Sequence, residues 1–429
     1  MDLLTANDRQ GAYPASYYAA TAEHLAEFPS ARGDITCDVC VVGGGYSGLS
    51  AALHLAQAGY DVSLVDAQRV GFGASGRNGG QVGVGQRIGQ DDLESLVDDG
   101  QAHALWDLSL ESVNLVRNII AEHGIDCGWA DGIIEADHRA KFVPHSHKYA
   151  EKINKDYNYD LIRPLGRDEM RQLVGSTAYH GGTLDMGGGH LHPMRYVLGL
   201  ARAARDAGVR IYENSKVTEV TPDATVLTQQ AKITASHVIL GCNGYLGALN
   251  GQVAARVMPI NNFIIATEPL ENPARLIRDN HAVADSKFVI NYFRLSDDNR
   301  MLFGGGESYG YRFPRNIETT VRKAMSQIFP QLDDVRVDFA WGGTLGITMN
   351  RMPHFARVSN QVFSVSGYSG HGVAMATLGG KLAAQAVQGQ AEKFDLFATV
   401  PSPRFPGGPR LRSPLLALAM AWYAMRDKL

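Results

Sequence analysis

The stretch Asp38-Val39-Cys40-Val41-Val42-Gly43-Gly44-Gly45-Tyr46-Ser47-Gly48-Leu49-Ser50-Ala51-Ala52-Leu53-His54-Leu55-Ala56-Gln57-Ala58-Gly59 decides the fold. Residues 39–42 are a short apolar run of the kind that forms a buried parallel strand, and glycines follow at once. Leu49, Ala52, Leu53 and Ala56 then recur at helical spacing. A second apolar run, 62–65, ends in Asp66 and Ala67. Strand, Gly-x-Gly-x-x-Gly, helix, strand and acid in that order make a dinucleotide-binding unit. Gly43 allows the sharp turn, Gly45 lets a pyrophosphate approach the backbone, and Gly48 lets helix and strand pack closely. The helix start, Tyr46-Ser47, offers free N–H groups and a positive dipole end to the phosphates, and Asp66 is placed to accept a ribose hydroxyl.

Working outward, a second glycine-rich stretch follows: Gly71-Phe72-Gly73-Ala74-Ser75-Gly76-Arg77-Asn78-Gly79-Gly80-Gln81. Serine, arginine and asparagine between glycines suit phosphate and ring contacts, so this stretch reads as a loop that hugs the cofactor. Two later apolar strands also run into glycines. Residues 237–240 lead into Gly241-Cys242-Asn243-Gly244, and 362–366 lead into Gly367-Tyr368-Ser369-Gly370-His371-Gly372. The second of these continues into a helix through Val373, Ala376, Leu378 and Leu382. Both are expected at the cofactor edge.

Between these pieces the pattern changes. Residues 91–123 read as a helix closed by Gly124, followed by a strand at 133–136, a helix near 141–157, a strand near Leu161 and a helix at 167–173. Pro193 opens another helix that ends near Gly208, and short strands are expected at 209–212, 217–220, 225–227 and 237–240. Residues 257–346 alternate β-branched and aromatic side chains and read as an antiparallel sheet with one helix at 317–328. The fold class is therefore α/β: a Rossmann-type parallel-sheet domain interleaved with an α+β substrate domain built on an antiparallel sheet. Residues 37–90, 184–250 and 350–395 are assigned to the first, and 91–183 and 251–349 to the second. Residues 1–36 form an N-terminal extension with a short surface helix at 16–18, and 396–429 a tail with a terminal helix.

Composition bounds the rest. The chain has 429 residues, of which 45% are hydrophobic and 20% charged, as in ordinary globular proteins. A net charge of −4 argues against a nucleic-acid or anionic-membrane partner. Four cysteines in so long a chain make no disulfide framework, which fits a reducing cytoplasm, and Cys37 and Cys40 read as small core residues rather than a redox pair. No run approaches the roughly 20 apolar residues that span a bilayer. His190 and His192 have no third ligand at metal spacing, so no metal is expected.

Three motifs, the fingerprint at 43–48, the loop at 71–81 and Gly-Tyr-Ser-Gly-His-Gly at 367–372, together resemble the D-amino acid oxidase/sarcosine oxidase family of FAD-dependent amine oxidases. The resemblance extends to Ser16-Tyr17-Tyr18, to 188–193, to Tyr292-Phe293-Arg294-Leu295, to Arg351-Met352-Pro353 and to Phe405-Pro406-Gly407-Gly408. It implies an FAD-binding domain with the dinucleotide extended. The adenosine end would lie on Gly43, Gly45, Tyr46, Ser47, Gly48, Asp66 and Ala67, flanked by Val217. Gly73, Ala74, Ser75, Arg77, Asn78, Gly79, Gly80 and Gln81 would enclose the pyrophosphate and flavin. Gly244 would edge the site, and Gly370, His371, Gly372 and Val373 would meet the flavin pyrimidine edge. The implied activity is oxidation of a C–N bond in a small-molecule amine, such as a γ-glutamyl polyamine, with hydride transfer to flavin N5. The imine then hydrolyses, and oxygen is reduced to hydrogen peroxide. Two departures stand out. Gly304-Gly305-Gly306-Glu307-Ser308-Tyr309-Gly310 lacks the lysine that sarcosine oxidases place near the flavin, so a dehydrogenase for imino or amino acids (pipecolate-like) that passes electrons to a carrier is the alternative. Neither Cys127 nor Cys242 matches the family's flavin-linking cysteine, so the FAD is expected to be non-covalent.

Amine oxidation asks the protein to position one C–H bond, keep the amine neutral and stabilise charge on the reduced ring. The candidates are His371 at a helix start, Arg294 or Arg351 as a fork for a substrate carboxylate, and Tyr292 and Trp341 as pocket walls, with Tyr309, Tyr368 and His354 behind them.

Overall fold

A computed structural model describes residues 2–407. Its first sheet has eight strands. Val362–Ser366, Ala231–Leu240, Gly33–Val42, Val62–Val65 and Arg210–Tyr212 lie side by side and parallel, and His354–Arg357 pairs antiparallel at one edge. The hairpin Val217–Val220 and Thr225–Thr228 hangs on Ala231–Leu240. Val62–Val65 is buried throughout, as expected of a parallel strand covered on both faces.

The second sheet has nine strands. Val337–Ile347, Met258–Thr267, Met301–Ser308, Tyr292–Leu295, Ala282–Asp285, Ala130–Ala136, Gly182–His190 and Gln81–Val82 follow in that order, with Ile162–Leu165 also on Gly182–His190. Pairing is antiparallel except between Ala282–Asp285 and Ala130–Ala136. Gln81–Val82 and Gly182–His190 thus belong to this sheet, although the sequence places most of each segment with the nucleotide domain. The chain leaves one sheet and enters the other beside the glycines at 79–80.

Helices Tyr46–Gln57 and Gly372–Val387 pack against each other over the parallel sheet. Small residues let them approach: a Cβ at Gly380 would collide with the Ser47 carbonyl, and Ser50 Oγ donates to Thr377 O at 2.6 Å. Tyr368 Oη and Ser47 Oγ, 2.6 Å apart, tie the two helix starts together. In this close packing the two cofactor motifs, far apart in sequence, become neighbours.

Several helices carry their own start signal. Asp98 caps Asp99–Glu122, so the helix expected across 91–123 is two, the first being Gln90–Leu96. Asn316 caps Ile317–Ile328, and His192 accepts the Arg195 N–H to cap Pro193–Asp206. Ser16 caps Tyr17–Thr21, which corrects one expectation: Tyr17 and Tyr18 are buried, so this turn is core rather than surface. The strand expected at 237–240 begins at Ala231. The expected terminal helix lies outside the described residues. Among the described residues no helix is long and apolar enough to cross a membrane.

Candidate active site

A cavity of about 2010 Å³ runs between the two sheets. All the residues expected to hold the cofactor line it except Gly48. Gly48 instead sits where helix meets strand, and a Cβ there would strike the Gly43 carbonyl oxygen. Gly43 itself has φ +110° and faces Gly241, whose carbonyl oxygen would lie 2.9 Å from a Cβ. These two glycines shape the turn, whereas Gly45 opens it: a Cβ there would stand 2.8 Å from Ser75 Oγ.

The cradle suits an extended dinucleotide. Both helices that point into it, Tyr46–Gln57 and Gly372–Val387, start without a side-chain cap, unlike the four capped helices above. Apart from the Tyr46 N–H, their first N–H groups and dipole ends are therefore left for an anion. Ser75 Oγ accepts the Tyr46 N–H at 3.0 Å and holds the 71–81 loop over the first of them. Asp66 accepts backbone N–H groups from Gly44 at 2.6 Å and Gln68 at 2.7 Å, keeping lone pairs for a ribose hydroxyl, and burial raises its carboxyl pKa. Arg77 is nearly fully buried, donates to Phe72 O and Gly342 O and pairs with Asp8 at 3.0 Å, yet its Nη2 finds no partner among the described residues. His371 Nε2 is likewise without one. Burial, then the nearby Arg87 charge, pushes His371 down to about 4, so the ring is neutral near pH 7.

The remaining candidates separate. Tyr292 lines the cavity, its ring against Gly79 and Gly304, and its hydroxyl donates to Asn262 Oδ1. Arg294 and Trp341 do not line it. Arg294 donates to the carbonyls of Gly79, Leu191 and Leu295 and to Tyr18 Oη, so its guanidinium is spent on holding the Gly79 loop in place. Trp341 donates to Arg77 O at 3.0 Å and packs edge-on against Tyr18. Tyr368 lines the cavity but is engaged by Ser47, and His354 is buried as the first residue of the edge strand. Arg351 does line the cavity.

Sequence reasoning missed the charged residues that share this lining. Arg87, Glu135, Lys287 and Glu307 come from four separate segments. Glu307 lies within the stretch that lacks a lysine, and Arg87 follows Gly83 and Gly85 closely enough to belong to the same glycine-rich loop. Asp2, Leu3 and Leu4 also line the cavity, tied there by Gln68 Nε2 donating to Leu4 O at 2.7 Å. The paired histidines are engaged elsewhere: His190 Nε2 lies 2.7 Å from Asn280 O and His192 Nε2 lies 3.0 Å from Thr21 Oγ1. Cys37 and Cys40 are free, buried strand residues.

The protein family described as FAD dependent oxidoreductase (DAO) matches residues 38–386. The gamma-glutamylputrescine oxidoreductase of Escherichia coli is 41% identical over 422 residues, 97% of this chain and 99% of its own. A Rhizobium meliloti protein named "Probable oxidoreductase OrdL" is 41% identical over 416 residues, 96% of this chain and 97% of its own. Among solved structures, glycine oxidase from Geobacillus kaustophilus superposes with a TM-score of 0.73 at 20% identity, covering 86% of this chain and 99% of its own, which establishes a shared fold.

Proposed function

The chain belongs to the DAO family of FAD-dependent oxidoreductases and acts on amines, and from that premise we propose that its substrate is γ-glutamylputrescine or a closely related ω-amine. The observation that carries this reading is the full-length 41% identity to the E. coli enzyme of that name. Bound FAD supplies the acceptor for the hydride lost from the carbon next to the amine nitrogen. The protein's own residues do the positioning. The uncapped helix starts at Tyr46 and Gly372 hold negative charge, Arg294 fixes Gly79, and Tyr292 with Asn262 walls the chamber in front of the 79–81 loop. Neutral His371 leaves the second helix dipole uncompensated at the site. The product imine hydrolyses to an aldehyde, oxygen takes the electrons as hydrogen peroxide, the FAD is held without a covalent link, and the enzyme works in the cytoplasm.

A second reading, an imino-acid or amino-acid dehydrogenase that passes electrons to a carrier, draws on one observation. Strand Met301–Ser308 presents Gly304, Gly305, Gly306 and Glu307 in the stretch where sarcosine oxidases place a lysine. Anaerobic titration of the yellow enzyme with γ-glutamylputrescine, putrescine, sarcosine, proline and pipecolate tests both. Fastest bleaching by γ-glutamylputrescine, with peroxide release on admission of air, is the expected result. Bleaching by proline or pipecolate and by no γ-glutamyl amine would overturn it.

A further inference from the structure

We infer that the part of the cavity bounded by Arg87, Arg351, Glu307 and Glu135 recognises an α-amino-acid head group, its carboxylate taken by the two arginines and its ammonium by Glu307. The head group is carried on the substrate at the end remote from the oxidised carbon. This rests on the reading of the chain as an ω-amine oxidase and adds to it the means of choosing among amines.

Other enclosed arginines among the described residues each have an ion pair or carbonyl acceptors. Arg77 pairs with Asp8 and donates to two carbonyls, with Nη2 alone left over, Arg294 is used up as described, and Arg300 pairs with Asp298 and Asp338, both at 2.6 Å. Arg87 and Arg351 line the cavity, and among the described residues neither guanidinium makes a hydrogen bond or ion pair. An enclosed guanidinium without a partner loses hydration and regains nothing, so it marks a place for an anion that arrives later. The planar fork suits a carboxylate best.

Arg351 is also held at a backbone cost. Its φ is +64°, in the left-handed region that a long side chain seldom adopts. The turn that imposes this is well fastened: Arg351 N–H donates to Thr348 O at 3.3 Å, Thr348 Oγ1 donates to Met352 O at 2.7 Å, and Asn350 Oδ1 accepts the Met352 N–H at 3.2 Å. Arg87 approaches from the opposite segment, and a Cβ at Gly370 would lie 3.9 Å from its Nε. Burial lowers the Arg87 pKa and the Arg351 charge lowers it further, so the two cations sense each other.

Carboxylates share this space. Glu307 Oε2 accepts from Tyr309 Oη at 2.8 Å, and Oε1 has no partner among the described residues. Burial raises the Glu307 carboxyl pKa, and the Tyr309 hydrogen bond, Arg351 and Arg87 oppose that rise. Glu135 feels the Arg87 charge from the neighbouring sheet. Charges of both signs without a direct ion pair fit a zwitterion better than a simple anion. A free diamine would bring a second cation towards Arg87 and Arg351 and be repelled. An ammonium paired with Glu307 stays protonated and cannot lose hydride, so the amine that reacts must be a second one on the same molecule.

The test uses purified FAD holoenzyme and a probe that cannot turn over, γ-glutamyl-n-butylamide, which has the head group and chain but no second amine. Binding is read from perturbation of the flavin spectrum or by calorimetry. Wild type should bind it, and Arg87→Gln and Arg351→Gln should each weaken it by roughly tenfold or more. Glu307→Gln should abolish the preference for this probe over glutaric acid mono-n-butylamide, which lacks only the ammonium. Should a Gln variant lose FAD, the Lys variants keep the charge without the fork and should show a smaller weakening. Wild-type affinity no better than that for N-butylacetamide, or arginine variants that bind as wild type does, would overturn the proposal. Failure of every amine to bleach the flavin would overturn the ω-amine reading instead, and the probe titration distinguishes the two.

Discussion

Around the nucleotide motifs the cavity is walled by backbone, and beyond them it is walled by charge. In the first region, groups aimed at the ligand are N–H donors of two helices without side-chain caps, and most polar side chains nearby are engaged, Arg77 Nη2 and His371 Nε2 excepted. Asn78 bonds to Ala74 O, Ser75 O and Gly80 N, and Gln81 donates to Val283 O. In the second, Arg87, Arg351 and Glu307 keep donors and acceptors in reserve. A cofactor of constant shape can be held by fixed main-chain dipoles, whereas discrimination among substrates needs charged side chains whose partners arrive with the ligand. Arg294 and Arg87 show the contrast within one residue type, since one guanidinium is consumed by the fold and the other is left to the substrate.

The largest effect that could break this contrast is at the glycines. Gly48→Val should yield protein that is colourless or insoluble, because the side chain meets the Gly43 carbonyl. Gly45→Val should fold but retain little FAD, read from visible absorbance after gel filtration. A yellow Gly45→Val protein would show that the backbone approach is not needed. Next, Arg294→Leu leaves three carbonyls and Tyr18 Oη short of a donor and should cost about 3 kcal/mol of stability, seen in thermal melts of the holoenzyme. Unchanged melting with weakened substrate binding would place Arg294 in the charged region after all.

A pH series sharpens the comparison further. His192 is pushed down to about 2 by burial and then by Arg195 and Arg294, while its Nδ1 accepts the Arg195 N–H as a helix cap. The unfolded chain takes up a proton below its ordinary value of 6.5 and the native ring does not. Stability is therefore complete above that pH and falls as pH drops below it, by up to about 1.4 kcal/mol per unit. His192→Asn keeps a cap that cannot titrate and should flatten the acid limb of the melting curve. The smallest effect expected is opposite in sign to that of Arg294: Arg87→Gln or Arg351→Gln removes an unpaired enclosed cation and should stabilise the substrate-free holoenzyme by about 1 kcal/mol, seen as a higher melting temperature. A loss comparable to that of Arg294→Leu would mean that these arginines are structural.

Legibility in the sequence followed the range of the interactions. Helices Arg167–Leu173 and Ile317–Ile328 fall where the periodicity places them, and Pro193 opens its helix, because starts and stops are set by caps a few residues away. Asp98, an acid just ahead of an apolar repeat, was a local signal for dividing 91–123 that the apolar spacing concealed. Strand Val337–Ile347 runs through Gly342, Gly343 and Gly346, where local preference would end it, because Met258–Thr267 pairs along its length. Gly346 is needed there, since a Cβ would strike Asn243 Oδ1 and stand 3.0 Å from the Gly244 backbone nitrogen.

What the sequence determined by itself was the cofactor end. Its glycine turns are short-range devices, each complete within a dozen or so residues, so their spacing announces them. Which arginine meets the substrate was decided only in three dimensions. Arg294 looked available beside its aromatic neighbours and Arg87 did not, yet the folded chain supplies carbonyl acceptors to the first and none to the second. Charge left unpaired depends on every segment that could have paired it, and no local stretch of sequence carries that information.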